Sequence, residues 1–114
     1  MPSFVVDYFE LPVPATEASS RFFSDAFGFG AKAYGPGYSE ITDAGVLGGL
    51  NVDGEGQSAA PLIGIRTDDI AAAQRAIEEA GGTVTKSVSD YPGGQRFYFR
   101  EPGGNELLVY APSE

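Results

Sequence analysis

The predicted elements of this chain follow one order twice: a strand, a helix and three more strands. Apolar residues at helical spacing predict a first helix over 16–27, closed by Gly28, and a second helix that runs to Ala80, closed by Gly81. Runs rich in β-branched and aromatic residues, separated by turns that contain glycine and proline, predict the strands. The order indicates two βαβββ modules, in each of which one helix covers one face of four strands. We therefore expect the functional residues on the uncovered face.

The chain has 114 residues, which is the length of one domain. The two modules fall at about 3–52 and 61–111, and the polar, glycine-containing segment 53–60 joins them. Asp68 or Asp69 caps the second helix. Because helix and strand are mixed within each module, the sequence predicts an α+β fold.

Two residue types are missing from the sequence, which has no cysteine and no histidine. Their absence excludes disulfides, thiolate nucleophiles, histidine-ligated metals and Ser-His-Asp triads. Chemistry in this chain therefore rests on carboxylates, lysine, arginine, tyrosine, serine and threonine.

The charge balance bounds the partners. Against 7 Lys and Arg there are 16 Asp and Glu, which gives a net charge of -9. Phosphate backbones and anionic lipids are repelled by such a field, so neither nucleic acid nor a membrane surface is an expected partner. No stretch approaches the roughly 18 apolar residues of a membrane span, and the N-terminal residues lack the pattern of a secretory signal. The expected location is the cytoplasm.

Strand alternation selects the candidate residues of the first module. Tyr8 and Glu10 share the uncovered face of the first strand, whereas Phe9 and Leu11 lie on the other face and are expected to pack under the helix. On one interpretation, Tyr8 and Glu10 hydrogen-bond a ligand, and Glu10 is the candidate catalytic base. On the other, Glu10 reaches bulk water or pairs with an arginine across a dimer interface.

The same alternation selects residues in the second module. The uncovered face receives these side chains from the fifth, seventh and last strands: Leu62, Arg66, Arg96, Leu108 and Tyr110. Three roles stay open for each arginine: it neutralises Glu10, it holds an anionic ligand, or it forms a surface salt bridge.

Three stretches of the sequence resemble one protein family. They are FELPV followed by SRFFSDAFGF, TDDI followed by AGGTV, and FREPGGNEL. In order and spacing they resemble the vicinal-oxygen-chelate superfamily, which contains glyoxalase I, bleomycin-resistance proteins and extradiol dioxygenases. The resemblance implies two tandem βαβββ modules whose mixed sheet curves around a cavity, and it implies a homodimer.

The resemblance also implies where metal ligands would stand. In the metal enzymes of this superfamily they lie on the first and last strands of each module. The matching positions here are Tyr8, Gly48 or Gly49, Leu62 and Leu108. Tyrosine is a rare ligand, and glycine and leucine have no donor side chain, so neither a divalent metal nor another cofactor is expected. Glu40 resembles a substitute ligand but falls on the third strand, and its role stays open.

Three functions are compatible with this sequence. The first is binding of a small organic molecule, cationic or aromatic, in a cavity lined by the candidate residues and without a metal. The second is an enzyme of the same superfamily, either a dioxygenase or a metal-dependent or metal-free lyase or isomerase. The third is a structural or regulatory dimer without a ligand.

Overall fold

The computed structural model describes residues 3–52 and 60–113. Its elements in chain order are β1 (Phe4–Pro12), α1 (Thr16–Phe27), β2 (Gly30–Ala33), β3 (Tyr38–Thr42), β4 (Leu47–Asn51), β5 (Leu62–Thr67), α2 (Ile70–Glu79), β6 (Thr83–Tyr91), β7 (Gly94–Arg100) and β8 (Glu106–Pro112). The order is βαβββ twice, so the predicted α+β fold is confirmed. All of the predicted linker except Ala60 lies outside the described residues.

The chain divides into two compact units. The first unit is Tyr8–Leu62, and the second combines the segment that ends at Asp7 with the chain from Ile63 onward. Strand β1 therefore contributes its first residues to the second unit and the rest to the first. Among the candidate residues, Tyr8, Glu10 and Leu62 belong to the first unit, and the others belong to the second.

In the first unit the strands are ordered β2, β3, β4, β1. Antiparallel pairs join β2 to β3 and β3 to β4, whereas β1 runs parallel to β4. This register places Glu10, Gly49 and Glu40 side by side in one row across three strands. The alternate residues Ile41 and Leu50 are fully buried and project to the opposite face.

Helix α1 ends as predicted at Gly28, whose φ of 76° is a left-handed conformation that glycine adopts without strain. None of the α1 residues is buried. Of the apolar residues whose helical spacing predicts α1, Phe23 is half-buried, and the others are exposed: Ala18, Phe22, Ala26 and Phe27. The Phe22 side chain is 58% exposed and packs edge-on against the Phe23 ring at a centroid distance of 5.2 Å.

In the second unit, β8 lies between β5 and β7, and β6 pairs with the far side of β7. Helix α2 begins after Asp69, whose carboxylate accepts the Ala72 N–H at 3.0 Å, so the second of the two predicted caps is the one used. The buried core residues under α2 are Ala73, Phe97, Phe99 and Val109. They alternate along β7 and β8 as the sequence predicts. Ile63 was also expected under the helix but is 50% exposed, because it precedes the part of β5 that pairs with β8.

Neither helix of the described ranges is both long enough and apolar enough to span a membrane.

Candidate functional site

A chain of hydrogen bonds leads from a buried carboxylate to a partly exposed phenol in the first unit. Glu10 is 4% exposed. Its two oxygens accept the Tyr8 hydroxyl at 3.0 Å and the Asn51 side-chain amide at 3.2 Å. The hydroxyl oxygens of Tyr8 and Tyr38 lie 2.7 Å apart. Because the single proton of Tyr8 points to Glu10, the Tyr38 hydroxyl donates to Tyr8. We call Glu10, Tyr8, Tyr38 and Asn51 the tyrosine–carboxylate cluster.

Strand register explains why these four residues meet. Alternation puts Tyr8 and Glu10 on one face of β1, and it puts Tyr38 on the same face of β3. Asn51 lies opposite Tyr38 on one side and Pro12 on the other. All four side chains therefore share the face opposite the buried Ile41 and Leu50.

Gly49 provides the space in which the two phenols meet. A Cβ atom added to this residue would lie 2.2 Å from the Tyr8 hydroxyl oxygen and 2.5 Å from that of Tyr38. These separations are far shorter than any van der Waals contact. The preceding residue, Gly48, leaves space on the other face in the same way, because a Cβ atom there would lie 2.3 Å from the Phe9 ring. The glycine pair thus admits an aromatic side chain on each side of β4.

Both phenols of the cluster are protonated at neutral pH. Burial, followed by the charge of Glu10, raises the pKa of Tyr8 far above its usual value. Burial likewise raises the pKa of Tyr38 to about 12. The two protons keep the chain polarised toward Glu10, and the outermost oxygen, that of Tyr38, has lone pairs free to accept.

A second carboxylate and a lysine lie beside the cluster. Glu40 shares a row with Glu10 and accepts the Tyr34 hydroxyl at 3.4 Å. The Lys32 ammonium stands 5.2 Å from the centroid of the Tyr34 ring. Glu40 therefore has a phenol partner on its own side of the cluster.

The positions that hold metal ligands in the related enzymes do not fit a divalent cation here. The Tyr8 phenol is protonated and engaged with Glu10 and Tyr38. Gly49 offers no donor, and the hydroxyls of the two tyrosines fill the space beside it. Leu62 and Leu108 are buried aliphatic side chains, 2% and 3% exposed. Carboxylate, imidazole and thiolate groups are the usual side-chain donors to divalent metals, and these positions supply none.

In the second unit, Asp7 brings two of the predicted residues together. Its carboxylate accepts the Arg66 Nε–H at 2.7 Å and the Tyr110 hydroxyl at 2.5 Å. Burial, with the hydrogen bond to Asp7, raises the pKa of Tyr110. Arg66 thus forms the salt bridge that was one of its predicted roles, with a partner that the sequence did not suggest.

Arg96 has a different environment. Its guanidinium carbon lies 5.4 Å from the centroid of the Tyr91 ring and 5.9 Å from that of Tyr98.

An apolar groove of about 440 Å³ runs beside α1 in the first unit. Its lining residues come from the end of β1, from α1 and from the residue before β5: Leu11, Pro12, Val13, Ala18, Ser19, Phe22, Phe23 and Pro61. Leu11 was predicted to face the helix, and it does. The tyrosine–carboxylate cluster takes no part in this groove.

Tyr38 and Asn51 are the functional candidates that the sequence interpretation missed. Tyr38 could have been found, because it alternates with Glu40 on a predicted strand and so belongs to the uncovered face. Asn51 had no comparable signal, since its role depends on the parallel pairing of β1 with β4.

The fold and the cluster together define a small α+β protein of two βαβββ modules with a hydrogen-bonded polar cluster on the first. The sequence matches the profile of the glyoxalase/bleomycin resistance protein/dioxygenase superfamily over residues 5–109. The chain belongs to this superfamily.

Solved structures show the same fold at low sequence identity. A superfamily member from Vibrio splendidus 12B01 is 16% identical, with a TM-score of 0.69 and coverage of 97% of this chain and 99% of that one. Methylmalonyl-CoA epimerase from Mycobacterium tuberculosis is 12% identical, with a TM-score of 0.68 and coverage of 96% and 88%. An extradiol ring-cleaving dioxygenase from B. fuscum is 15% identical, with a TM-score of 0.72 and coverage of 99% and 34%. No curated protein sequence matches the chain.

Proposed function

We propose that the protein binds a small organic molecule, without a metal, at the tyrosine–carboxylate cluster of the first unit. The observation that carries this proposal is the hydrogen-bonded chain from the buried Glu10 through Tyr8 to Tyr38. Burial of a carboxylate and two phenols is costly unless each polar group has a partner. These hydrogen bonds give each of the three groups a partner, and only the Tyr38 oxygen still has lone pairs to offer. That oxygen is the atom that a ligand would meet.

The polarity of the chain suggests what the ligand carries. The Tyr38 hydroxyl donates its proton to Tyr8, so its oxygen can only accept a hydrogen bond. The charge of Glu10 makes that oxygen a stronger acceptor, because the two hydrogen bonds polarise each other. Glu40 adds a second negative charge in the adjacent position. A ligand with an N–H donor or a positive charge fits this arrangement. The rings of Tyr34 and Tyr38, with centroids 6.2 Å apart, supply the aromatic contact surface.

The proposal is tested by thermal-shift screening, followed by calorimetry, with protonated aromatic amines and their neutral isosteres. We expect a cationic member to stabilise the protein equally with and without EDTA. Tyr38→Phe should weaken binding about tenfold, because it removes a hydrogen bond that a charge strengthens. Ser39→Ala is the matched control, since it removes a hydroxyl from the other face of the same strand. The proposal fails if no amine stabilises the protein, or if binding appears only after a divalent metal is added.

Metal-free proton transfer is the second candidate function. The same three groups form a relay in which a proton can pass from Tyr38 through Tyr8 to Glu10. A lyase or isomerase would use Glu10 as its base, with the relay connecting it to the substrate. Deuterium incorporation into carbon acids, followed by NMR, tests this function against Glu10→Gln. Equal incorporation by the variant and the parent protein would remove Glu10 from any such mechanism.

A further inference from the structure

We infer that the second unit carries a separate oxyanion site, at which Arg96 and Lys86 hold a carboxylate or phosphate group over the Tyr98 ring. This inference goes beyond the proposed function, because it concerns other residues and a ligand group of opposite charge. It rests on the buried Nε–H of Arg96, which has no acceptor, on the irregular strand pairing that places Lys86 beside Tyr98, and on the charges around them.

The Nε–H group of Arg96 is buried without an acceptor. No acidic side chain of the described ranges pairs with its guanidinium. The guanidinium carbon lies 5.4 Å from the centroid of the Tyr91 ring and 5.9 Å from that of the Tyr98 ring. A buried N–H that lacks an acceptor destabilises the fold, because it has lost its hydrogen bonds to water without replacement. An arriving oxyanion would supply the missing acceptor, and a guanidinium binds two oxygens at once.

Lys86 is brought to the same ring by irregular pairing in β6. Val84 pairs with Phe99, Lys86 with Tyr98, and Ser89 with Arg96, so β6 has an extra residue on each side of Lys86. Without the first irregularity, Lys86 would share the face of Val84, which packs against the core under α2. Its ammonium instead stands 4.5 Å from the centroid of Tyr98, a residue only 2% exposed.

The nearby acidic groups are engaged elsewhere. Asp7 pairs with Arg66, Asp90 accepts the Gln95 amide at 3.4 Å, and Glu106 accepts the Thr85 hydroxyl at 2.6 Å. Two cations therefore contact one buried ring without a carboxylate partner in the described part of the chain, although the protein has a net charge of -9. Like charges held together in this way repel each other until an anion lies between them.

The chemistry of the site defines the ligand group. A guanidinium fork with an ammonium beside it matches the oxygens of a carboxylate or a phosphate. The Ser89 residue, opposite Arg96 on β6, adds a hydroxyl at the same position along the strands. The flanking Tyr91 ring is suited to a planar group attached to the anion.

The test is an NMR titration of the whole chain, read at the arginine Nε–H signals. Benzoate and inorganic phosphate are the probes, and benzamide is the neutral control. We expect the Arg96 Nε–H signal to move saturably with benzoate, with phosphate or with both, and to stay in place with benzamide. The benzoate and phosphate arms then identify which oxyanion the site prefers.

Variants separate this site from general attraction between charges. Arg96→Gln should abolish the saturable shift of the remaining signals, and Lys86→Gln should weaken the affinity about tenfold. Arg75→Gln is the matched control, because it removes the same charge from an exposed position on α2 and should change the affinity by less than about twofold. The inference is overturned if neither anion moves the Arg96 signal, or if Arg75→Gln weakens binding as much as Arg96→Gln. Amine binding at the first unit should persist in Arg96→Gln, so the two proposals fail independently.

Discussion

At the scale of the residue, the Glu10 carboxylate is the acceptor for the polar side chains buried in the first unit. It accepts two hydrogen bonds while only 4% exposed. Glu10→Ala leaves the Tyr8 hydroxyl and the Asn51 amide without their acceptor, so we expect the free energy of unfolding to fall by about 3 kcal/mol. Urea unfolding followed by circular dichroism measures this loss. Glu79→Ala, at the exposed end of α2, should change the free energy of unfolding by less than about 0.5 kcal/mol. Equal losses in the two variants would contradict the assigned role of Glu10.

The protonation of Tyr38 predicts how stability changes in alkali. Its pKa is raised from 10.0 to about 12 in the folded protein. A group whose folded pKa is raised contributes stability that is fully present below the unfolded pKa and is lost as pH rises through the folded value. We therefore expect the free energy of unfolding to decline between about pH 10 and pH 12, with a smaller decline in Tyr38→Phe. Urea titrations across this range, with phenolate absorbance recorded in parallel, provide the measurement. A Tyr38→Phe curve that declines as steeply as that of the parent would count against the cluster.

Sequence reasoning at the residue scale located one half of the cluster. Tyr8 and Glu10 lie two residues apart on one strand, and alternation alone places them on one face. Tyr38 and Asn51 join them only through strand pairing, which brings Asn51 to Glu10 across 41 positions of the chain. Pairing of this kind depends on register, which no local pattern in this sequence specifies. The same limit explains why Asp7 was missed as the partner of Arg66.

At the scale of elements, substitution of the two adjacent glycines of β4 should affect the two faces of the strand differently. Gly49→Ala places a Cβ against the tyrosine hydroxyls, and Gly48→Ala places one against the Phe9 ring. We expect each variant to lose about 1–3 kcal/mol of stability through overpacking. Only Gly49→Ala should also change the alkaline titration of the phenols, because only its methyl group separates Tyr8 from Tyr38.

The paired variants control for each other, since they add the same atom to neighbouring positions of one strand. Phenolate absorbance against pH gives the titration, and thermal unfolding gives the stability. A titration that is altered equally in Gly48→Ala and Gly49→Ala would show that general loosening, and not the cluster, determines the phenol pKa values.

Helices and strands were predicted with different success for a physical reason. The bounds of α1 follow from local signals, since its spacing and the left-handed Gly28 lie within the helix or beside it. Strand β6 was predicted over 83–88 but extends to Tyr91, because its far end is held by pairing with β7. The irregular pairing on either side of Lys86 likewise depends on β7, so no local pattern in the sequence indicates the second unit's cationic pair.

At the scale of the whole molecule, the exposed stripe of α1 makes a prediction about assembly. Ala18, Phe22 and Ala26 form an apolar stripe that this chain leaves in contact with solvent. Such a face is unfavourable in water and indicates a partner. We expect a second copy of the chain to be that partner, because charges of both signs, from Glu17, Arg21 and Asp25, repeat beside the stripe at helical spacing.

Two copies of α1 running antiparallel about a two-fold axis near Phe23 would bring Arg21 of each copy opposite Asp25 of the other. We therefore expect a homodimer by light scattering coupled to gel filtration, and we expect Phe22→Ser to produce monomers. Arg21→Asp should raise the dimer dissociation constant about tenfold by placing like charges together, and combining it with Asp25→Arg should restore the parent value. Phe4→Ser is the control, because that side chain is 50% exposed and belongs to the second unit. Phe97→Ser is unsuitable, because Phe97 is buried in the core. A parent protein that is monomeric at every concentration, or a double variant no tighter than Arg21→Asp, would rule out this pairing of the helices.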